Sequence, residues 1–65
     1  MILSDWELWA CANETLKQHG EEAPIFAAKR ADKLLQEADL DGAHNWLLIL
    51  DRIEQMLAKP EGALQ

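Results

Sequence analysis

The stretch DLDGAHNWLLILDRIEQMLA, residues 39–58, decides the fold of this chain. At about 100° per residue, its large apolar side chains return to one side of a helix, and most charged side chains fall on the other. The apolar face contains Ala43, Trp46, Ile49, Leu50, Ile53 and Leu57. Asp41, or less favourably Asp39, is placed to cap this helix. We therefore predict a helix over residues 42–58 that needs other helices to cover its apolar face.

An upstream helix is indicated by Ser4 and Glu7, which have the spacing of a capping box. Gly20 can take the left-handed conformation that ends helices, so the predicted helix covers residues 5–19. Cys11 is expected on its outward stripe. The broad apolar face of the helix is expected to contain Trp6, Leu8, Trp9, Ala10, Ala12, Asn13 and Leu16.

Between these two helices, Pro24 suits the first position of a third, predicted over residues 24–38. Its inward face is made of small and aliphatic residues: Ala27, Ala28, Ala31, Leu34, Leu35 and Ala38. Short connections make sequential helices neighbours, so the chain is expected to be all-α, a compact three-helix bundle. Residues 1–59 form one predicted domain, and residues 60–65 a frayed tail.

Three tryptophans supply large anchors for so small a core. Trp9 and Trp46 are predicted to lie in the core, opposite the alanine-rich face of the middle helix. Trp6 lies in the first turn, near the edge of the apolar face. It is therefore either a lid on the core or an exposed contact.

Charge and composition argue against several classes of partner. The formal net charge of −6 disfavours binding to nucleic acid or to anionic lipid. The longest apolar run, residues 46–50, is too short to span a bilayer, and the first residues lack the pattern of a secretory signal. A single cysteine, Cys11, agrees with a reducing compartment, so we predict a cytoplasmic protein.

Residues with catalytic or metal-binding chemistry are few and have no suitable local partners. His19 suits a helix C-terminus, His44 a solvated first turn, and Cys11 has no basic neighbour one helical turn away. The acidic segment 39–42 lacks the ligand spacing of an EF-hand. We therefore predict no enzymatic activity, no cofactor, no metal and no small-molecule substrate.

Protein binding is the leading functional hypothesis, with a partner of unknown identity or a second copy of the chain in a homodimer. Phe26 and Leu48 are apolar residues near the polar side of their helices, where a partner could contact them. Arg30 belongs to a basic stretch on the middle helix that could pair with an acidic partner. Cys11 and Trp6 complete the predicted partner-binding residues.

An inhibitor carried by a phage or mobile element is the alternative. Such a protein, of the anti-CRISPR type, would block a nucleic-acid-processing complex, with its acidic surface imitating nucleic acid.

DNA binding by a helix-turn-helix is a further interpretation of three short helices, and the charge argues against it. On the last helix, the groups that could contact DNA, Arg52, Asn45 and Gln55, are interspersed with the acidic Asp51 and Glu54.

Two segments carry a family resemblance: Trp-Ala-Cys-Ala at residues 9–12, and Gln-His-Gly at 18–20 followed by Ala-Pro at 23–24. Together with Leu16, Phe26, Ala28, Arg30, Asp39, Gly42, Trp46, Ile49 and Ile53, they make residues 3–57 resemble a small proteobacterial family of unknown function. The resemblance implies a compact bacterial or phage-borne domain and leaves its role open. It draws attention to Cys11, His19, Phe26 and Arg30.

Overall fold

The computed structural model describes residues 1–58 of the chain. Helix α1 covers Asp5–His19, a single 3-10 turn covers Gly20–Glu22, α2 covers Ala23–Gln36, and α3 covers Leu40–Ala58. The all-α class is confirmed for this part of the chain. The tail predicted for residues 60–65 lies outside the described residues.

The bounds of α1 agree with the sequence pattern at both ends. The backbone N–H of Ser4 donates to Glu7 Oε1 at 2.9 Å, as a capping box requires. Gly20 has a φ of 57°, a left-handed conformation that is unfavourable for residues with a side chain. Its backbone N–H donates to the carbonyl of Leu16. Local chemistry therefore explains where this helix begins and ends.

Helix α2 is shorter than predicted, because it ends at Gln36 and not at residue 38. Ala38 takes a left-handed conformation with a φ of 65°. Its N–H donates to the carbonyl of Leu35 at 3.0 Å, and the N–H of Asp39 donates to that of Leu34 at 2.8 Å. These two bonds form a Schellman ending without the usual glycine, which is why the sequence did not reveal it.

Helix α3 begins two residues earlier than predicted, at Leu40. Its cap is Asp39, whose Oδ1 accepts from the N–H of Gly42 at 2.9 Å. The preference for Asp41 as the cap was wrong. Asp41 lies within the first turn and pairs with the ammonium group of Met1. The hydrogen bond from that ammonium, and then its charge, lower the pKa of Asp41.

The core is built from aliphatic and small side chains of all three helices. Its buried cluster consists of Leu8, Ala12, Ala23, Ala27, Ile49 and Ile53. Ala31 and Ala43 are also buried. Helix α3 packs against both α2 and α1, whereas α1 and α2 touch less extensively. The alanines of α2 let α3 approach closely.

The buried face of α1 is narrower than predicted and turned around the helix axis. Leu8, Ala12 and Thr15 are buried, and Cys11, predicted to point outward, packs against the core. Ala10 and Asn13, predicted to point inward, are exposed, as is Trp6. The reason is tertiary: α1 is covered mainly by one helix, so a wide apolar face has no second neighbour to meet.

The inward faces of α2 and α3 were also predicted too wide. Ala27 and Ala31 are buried, but Ala28 and Leu35 are exposed, and so is Leu57 on α3. With only three helices in residues 1–58, each helix leaves one edge of its apolar stripe in solvent.

The tryptophans do not form the centre of the core, contrary to prediction. Trp46 is half-buried and packs against the buried cluster from outside. Trp9 is also half-buried, and Trp6 is 71% exposed. Ile49 and Ile53 on α3 are the largest side chains that are fully buried. Of the two roles left open for Trp6, a lid on the core or an exposed contact, its exposure agrees with the second.

Candidate functional site

Three rings from the three parts of the fold meet at one side of the molecule. His19 at the end of α1 stacks on Phe26 of α2, with ring centres 4.0 Å apart and planes inclined by 16°. Phe26 and Trp46 of α3 form a T-shaped pair, with ring centres 5.7 Å apart and planes at 79°. Both geometries are favourable for aromatic pairs. Phe26 therefore connects α1 to α3 through one stacked and one T-shaped ring contact.

A hollow of about 250 Å³ opens beside these rings, and we call it the aromatic groove. One wall comes from Phe26, Trp46 and His19, and the other is the side of α1 that carries Cys11, Glu14, Thr15 and Gln18. The Thr15 hydroxyl donates to the carbonyl of Cys11 at 2.7 Å, and Gln18 donates to Glu14 at 2.9 Å. The groove thus has an apolar interior and a polar rim.

A second, smaller hollow lies on the other side of the stacked rings. It measures about 140 Å³ and is lined by His19, Glu22, Ile25, Phe26 and Lys29. The stacked pair of His19 and Phe26 therefore separates two depressions. Both are open to solvent in the part of the chain that the structure describes.

Basic side chains of α2 lie near the two hollows: Arg30 contacts Trp46, and Lys29 lines the smaller hollow. The guanidinium carbon of Arg30 lies 5.8 Å from the ring centre of Trp46, within the range of a cation–π contact. Lys33 pairs with Glu37 at 3.4 Å. Within residues 1–58, neither Lys29 nor Arg30 forms an ion pair.

The structure brings together three of the five predicted partner-binding residues. Phe26 and Cys11 line the aromatic groove, and Arg30 lies against Trp46 at its edge. Leu48 is not part of this surface: it packs against the core, and two residues along a helix place it about 200° around α3 from Trp46. Trp6 is exposed on the outer face of α1, away from the groove of its own chain.

Five residues that line the groove were not among those predictions: Glu14, Thr15, Gln18, His19 and Trp46. Trp46 was assigned to the core because its position on the apolar face of α3 gives no sign that one edge stays open. His19 was assigned to the helix C-terminus alone. The Gln-His-Gly segment of the family resemblance was the one signal that pointed to it.

The polar side chains of α3 that a recognition helix would present are used within the chain. Asn45 accepts from the N–H of Leu3 at 2.8 Å and donates to the carbonyl of Met1 at 2.9 Å. Gln55 donates to Asp51 at 2.7 Å, and Arg52 binds both Asp51 and Asp5. Helix α3 therefore fastens the N-terminal segment with the groups that would otherwise read bases.

Side chains that bind metals are dispersed over residues 1–58: no three of His, Cys, Asp and Glu come close enough together to hold an ion. Helices of membrane-spanning length and hydropathy are likewise not found in this range. Cys11 is a free, half-buried thiol.

Comparison with known proteins gives one match, which covers residues 4–61. The chain belongs to DUF6961, a family of unknown function. No curated protein and no solved structure matches it. Membership in DUF6961 agrees with the expectation of a domain from a family of unknown function, and it assigns no role to the aromatic groove.

Proposed function

We propose that this DUF6961 chain is a non-enzymatic protein-binding module, and that its aromatic groove receives an apolar side chain of a protein partner. The observation that carries the proposal is the arrangement of Phe26, Trp46 and His19 around an open hollow of about 250 Å³. Aromatic residues in a concave, partly desolvated site are typical anchors of protein interfaces.

The size of the groove supports a side chain over a small-molecule substrate. Ligand pockets usually enclose about 300–1,000 Å³ and bury most of the ligand. This groove is smaller and opens to solvent. The hydroxyl of Thr15, the amide of Gln18 and the carboxylate of Glu14 already bond within α1, and the imidazole of His19 stacks on Phe26. These features favour one inserted side chain.

Arg30 beside the aromatic groove and Lys29 in the smaller hollow support a partner with carboxylates near its apolar anchor. Lys29 and Arg30 have no ion pair within residues 1–58, although the chain as a whole carries a net charge of −6. Opposite charges across an interface raise the association rate and fix orientation more than they raise affinity. The same net charge argues against nucleic acid and anionic membranes as partners.

Three further points complete the proposal. The helices act as one compact three-helix bundle, because α3 contacts both α1 and α2. The module works in the cytoplasm of a proteobacterial cell or its phage, a setting that suits the free thiol of Cys11. The aromatic groove and Arg30 replace the predicted surface that included Leu48.

Photocrosslinking in the cells that carry the gene tests the proposal. A p-benzoylphenylalanine at position 18 lies on the groove wall, whereas one at position 28 lies on the exposed opposite side of α2. We expect protein adducts from position 18, identified by mass spectrometry, and far fewer from position 28. Equal adducts from both positions, or none from position 18, would contradict a partner in the groove.

A further inference from the structure

Trp6 is an exposed indole that the fold does not use. It is 71% exposed, and of the large apolar residues in the described chain only Met1 is more exposed. Its neighbours on the outer face of α1, Ala10 and Asn13, are exposed as well. Leaving so large an apolar surface in water is unfavourable, and tryptophan is the residue most enriched at the energetic centres of interfaces.

We propose that the partner of the aromatic groove is a second copy of this chain, with Trp6 of each copy inserted into the groove of the other. This inference rests on the proposed function and names its partner. Four observations support it: the fit of an indole to the groove, the spacing along α1, the charges of α1 and the exposed area.

The groove offers an indole both apolar walls and an acceptor. Phe26 and Trp46 provide ring surfaces, and the thiol of Cys11 is a soft, weakly polar contact. A buried indole N–H needs a hydrogen-bond acceptor. The carboxylate of Glu14 lies at the rim, where its Oε2 accepts from Gln18 at 2.9 Å, so its other oxygen is the acceptor that we assign to Trp6 of the other copy.

The spacing along α1 brings the two features into register. Residues 6, 10, 14 and 18 follow each other at intervals of four and form one ridge of the helix. When two α1 helices lie antiparallel with Ala10 facing Ala10, Trp6 of each copy stands opposite Glu14 of the other. The distance from Ala10 to either residue is about 6 Å along the axis. The small side chain of Ala10 lets the two helices come close enough.

The charges of α1 favour the antiparallel pairing. Asp5 of its first turn pairs with Arg52 and His19 of its last turn stacks on Phe26, which leaves Glu7 and Lys17 as the charges at its two ends that a second copy can meet. An antiparallel pair sets the acidic first turn of each copy beside the basic last turn of the other, and it also opposes the two helix dipoles. A parallel pair would place like charges together.

The surface area that the two copies would bury between them is that of a weak dimer. A tryptophan side chain buries roughly 150–250 Å², so two insertions and one helix contact stay near the lower end of interface sizes. Interfaces below about 1,200 Å² are usually transient. We therefore expect a monomer–dimer equilibrium with an appreciable monomer population at micromolar concentrations.

Sedimentation velocity between about 1 μM and about 1 mM, the range of weak complexes, tests this directly. The wild-type chain is expected to dimerise, and Trp6→Ala is expected to weaken the dimer at least about tenfold. Leu40→Ala is the matched control, because Leu40 is 67% exposed and is not on α1. Circular dichroism confirms that both variants fold.

The rate at which Cys11 is alkylated reports whether the aromatic groove is occupied. Its alkylation by iodoacetamide should slow as the protein concentration rises in wild type, and should not depend on concentration in Trp6→Ala. Protein alkylated beforehand with N-ethylmaleimide has a filled groove and an intact Trp6. Mixed with Trp6→Ala, which has the opposite defect, it should form a heterodimer through one insertion.

Three results would overturn the second-copy assignment: a monomer up to about 1 mM, a dimer that survives Trp6→Ala, or one that Leu40→Ala weakens equally. If the chain is a monomer and position 18 still crosslinks to another protein, the groove is a binding site with a different occupant. If neither dimer nor crosslink is found, both proposals fail.

Discussion

Arg52 of α3 lies over the indole of Trp9 of α1, with 5.2 Å between the guanidinium carbon and the ring centre. The same guanidinium donates to Asp5 at 2.8 Å and to Asp51 at 3.1 Å. The hydrogen bond to Asp5 is the main reason that the pKa of Arg52 is raised. One side chain therefore fastens the first half of α1 to α3 by stacking and by charge.

Replacement of Arg52 by lysine is expected to lower stability, because an ammonium group cannot stack on Trp9 and bridge two carboxylates at once. The measurement is the thermal midpoint followed by circular dichroism. Arg30→Lys serves as the control, since Arg30 is exposed and makes no ion pair within residues 1–58. Equal midpoints for the two variants would show that the Arg52 contacts contribute little.

Truncation of Ile53 should be far more damaging than truncation of Leu57. Ile53 is fully buried, and Ile→Ala in a core costs about 2–5 kcal/mol. The whole domain is expected to have about 3–10 kcal/mol of stability, at about 0.05–0.15 kcal/mol per residue. Ile53→Ala therefore removes a large part of it.

Leu57 is 48% exposed, so Leu57→Ala should cost about 1 kcal/mol or less. Urea unfolding of both variants, compared with wild type, measures the difference. Similar midpoints for the two would contradict a core centred on Ile49 and Ile53.

Ala38→Gly should stabilise the chain. A left-handed conformation costs a residue with a side chain about 1–2 kcal/mol, whereas the greater freedom of glycine in the unfolded chain offsets about 0.4–1 kcal/mol. The expected net gain is about 0.5–1 kcal/mol, measured by urea unfolding.

Gly20→Ala is the opposite test, because Gly20 combines a φ of 57° with a ψ of −132°. A Cβ there would meet no atom within 4 Å, so any loss reflects the backbone alone. We expect a loss of about 1–3 kcal/mol. A gain at Gly20 or a loss at Ala38 would contradict the two assigned turn conformations.

The capping box of α1 should make stability depend on pH. The pKa of Glu7 is lowered from its ordinary value of 4.5, first by the backbone N–H of Ser4 and then by its hydroxyl. Because the folded-state pKa is the lower one, the stabilisation is complete above the unfolded-state pKa and is lost as pH falls through the folded-state value.

Glu7→Gln keeps a side chain that can accept from Ser4 but does not titrate. Wild type should therefore be the more stable protein near neutral pH, and the difference should disappear as pH falls well below 4.5. Thermal melts of both proteins over this pH range give the measurement. A difference that is unchanged at acid pH would rule out the charge of Glu7 as its cause.

Much of the fold was predictable, because helix signals are local. Ser4 and Glu7 define the start of α1, and Gly20 defines its end, through groups within one helical turn. The spacing of Ile49 and Ile53 identified the buried stripe of α3 for the same reason. The α2–α3 turn was less predictable, since Ala38 adopts there a conformation usually taken by glycine.

The candidate site was predictable only in part. Phe26, Arg30 and Cys11 attracted attention as residue types that core packing does not require, and the fold brings them to one groove. Leu48 had the same appearance in the sequence, yet it packs against the core. A helical wheel cannot separate these cases, because it does not show where the neighbouring helices lie.

By itself, the sequence determined the helical class, the position of each helix to within two residues, and an acidic chain with a single thiol. Each of these depends on contacts within one or two turns or on composition alone. The tertiary structure decided how much of each apolar face is covered: Trp46 stays at an open edge, Cys11 turns inward and Trp6 remains in solvent. Those outcomes depend on the directions in which only three helices cross, and crossing is a property of side chains distant in sequence.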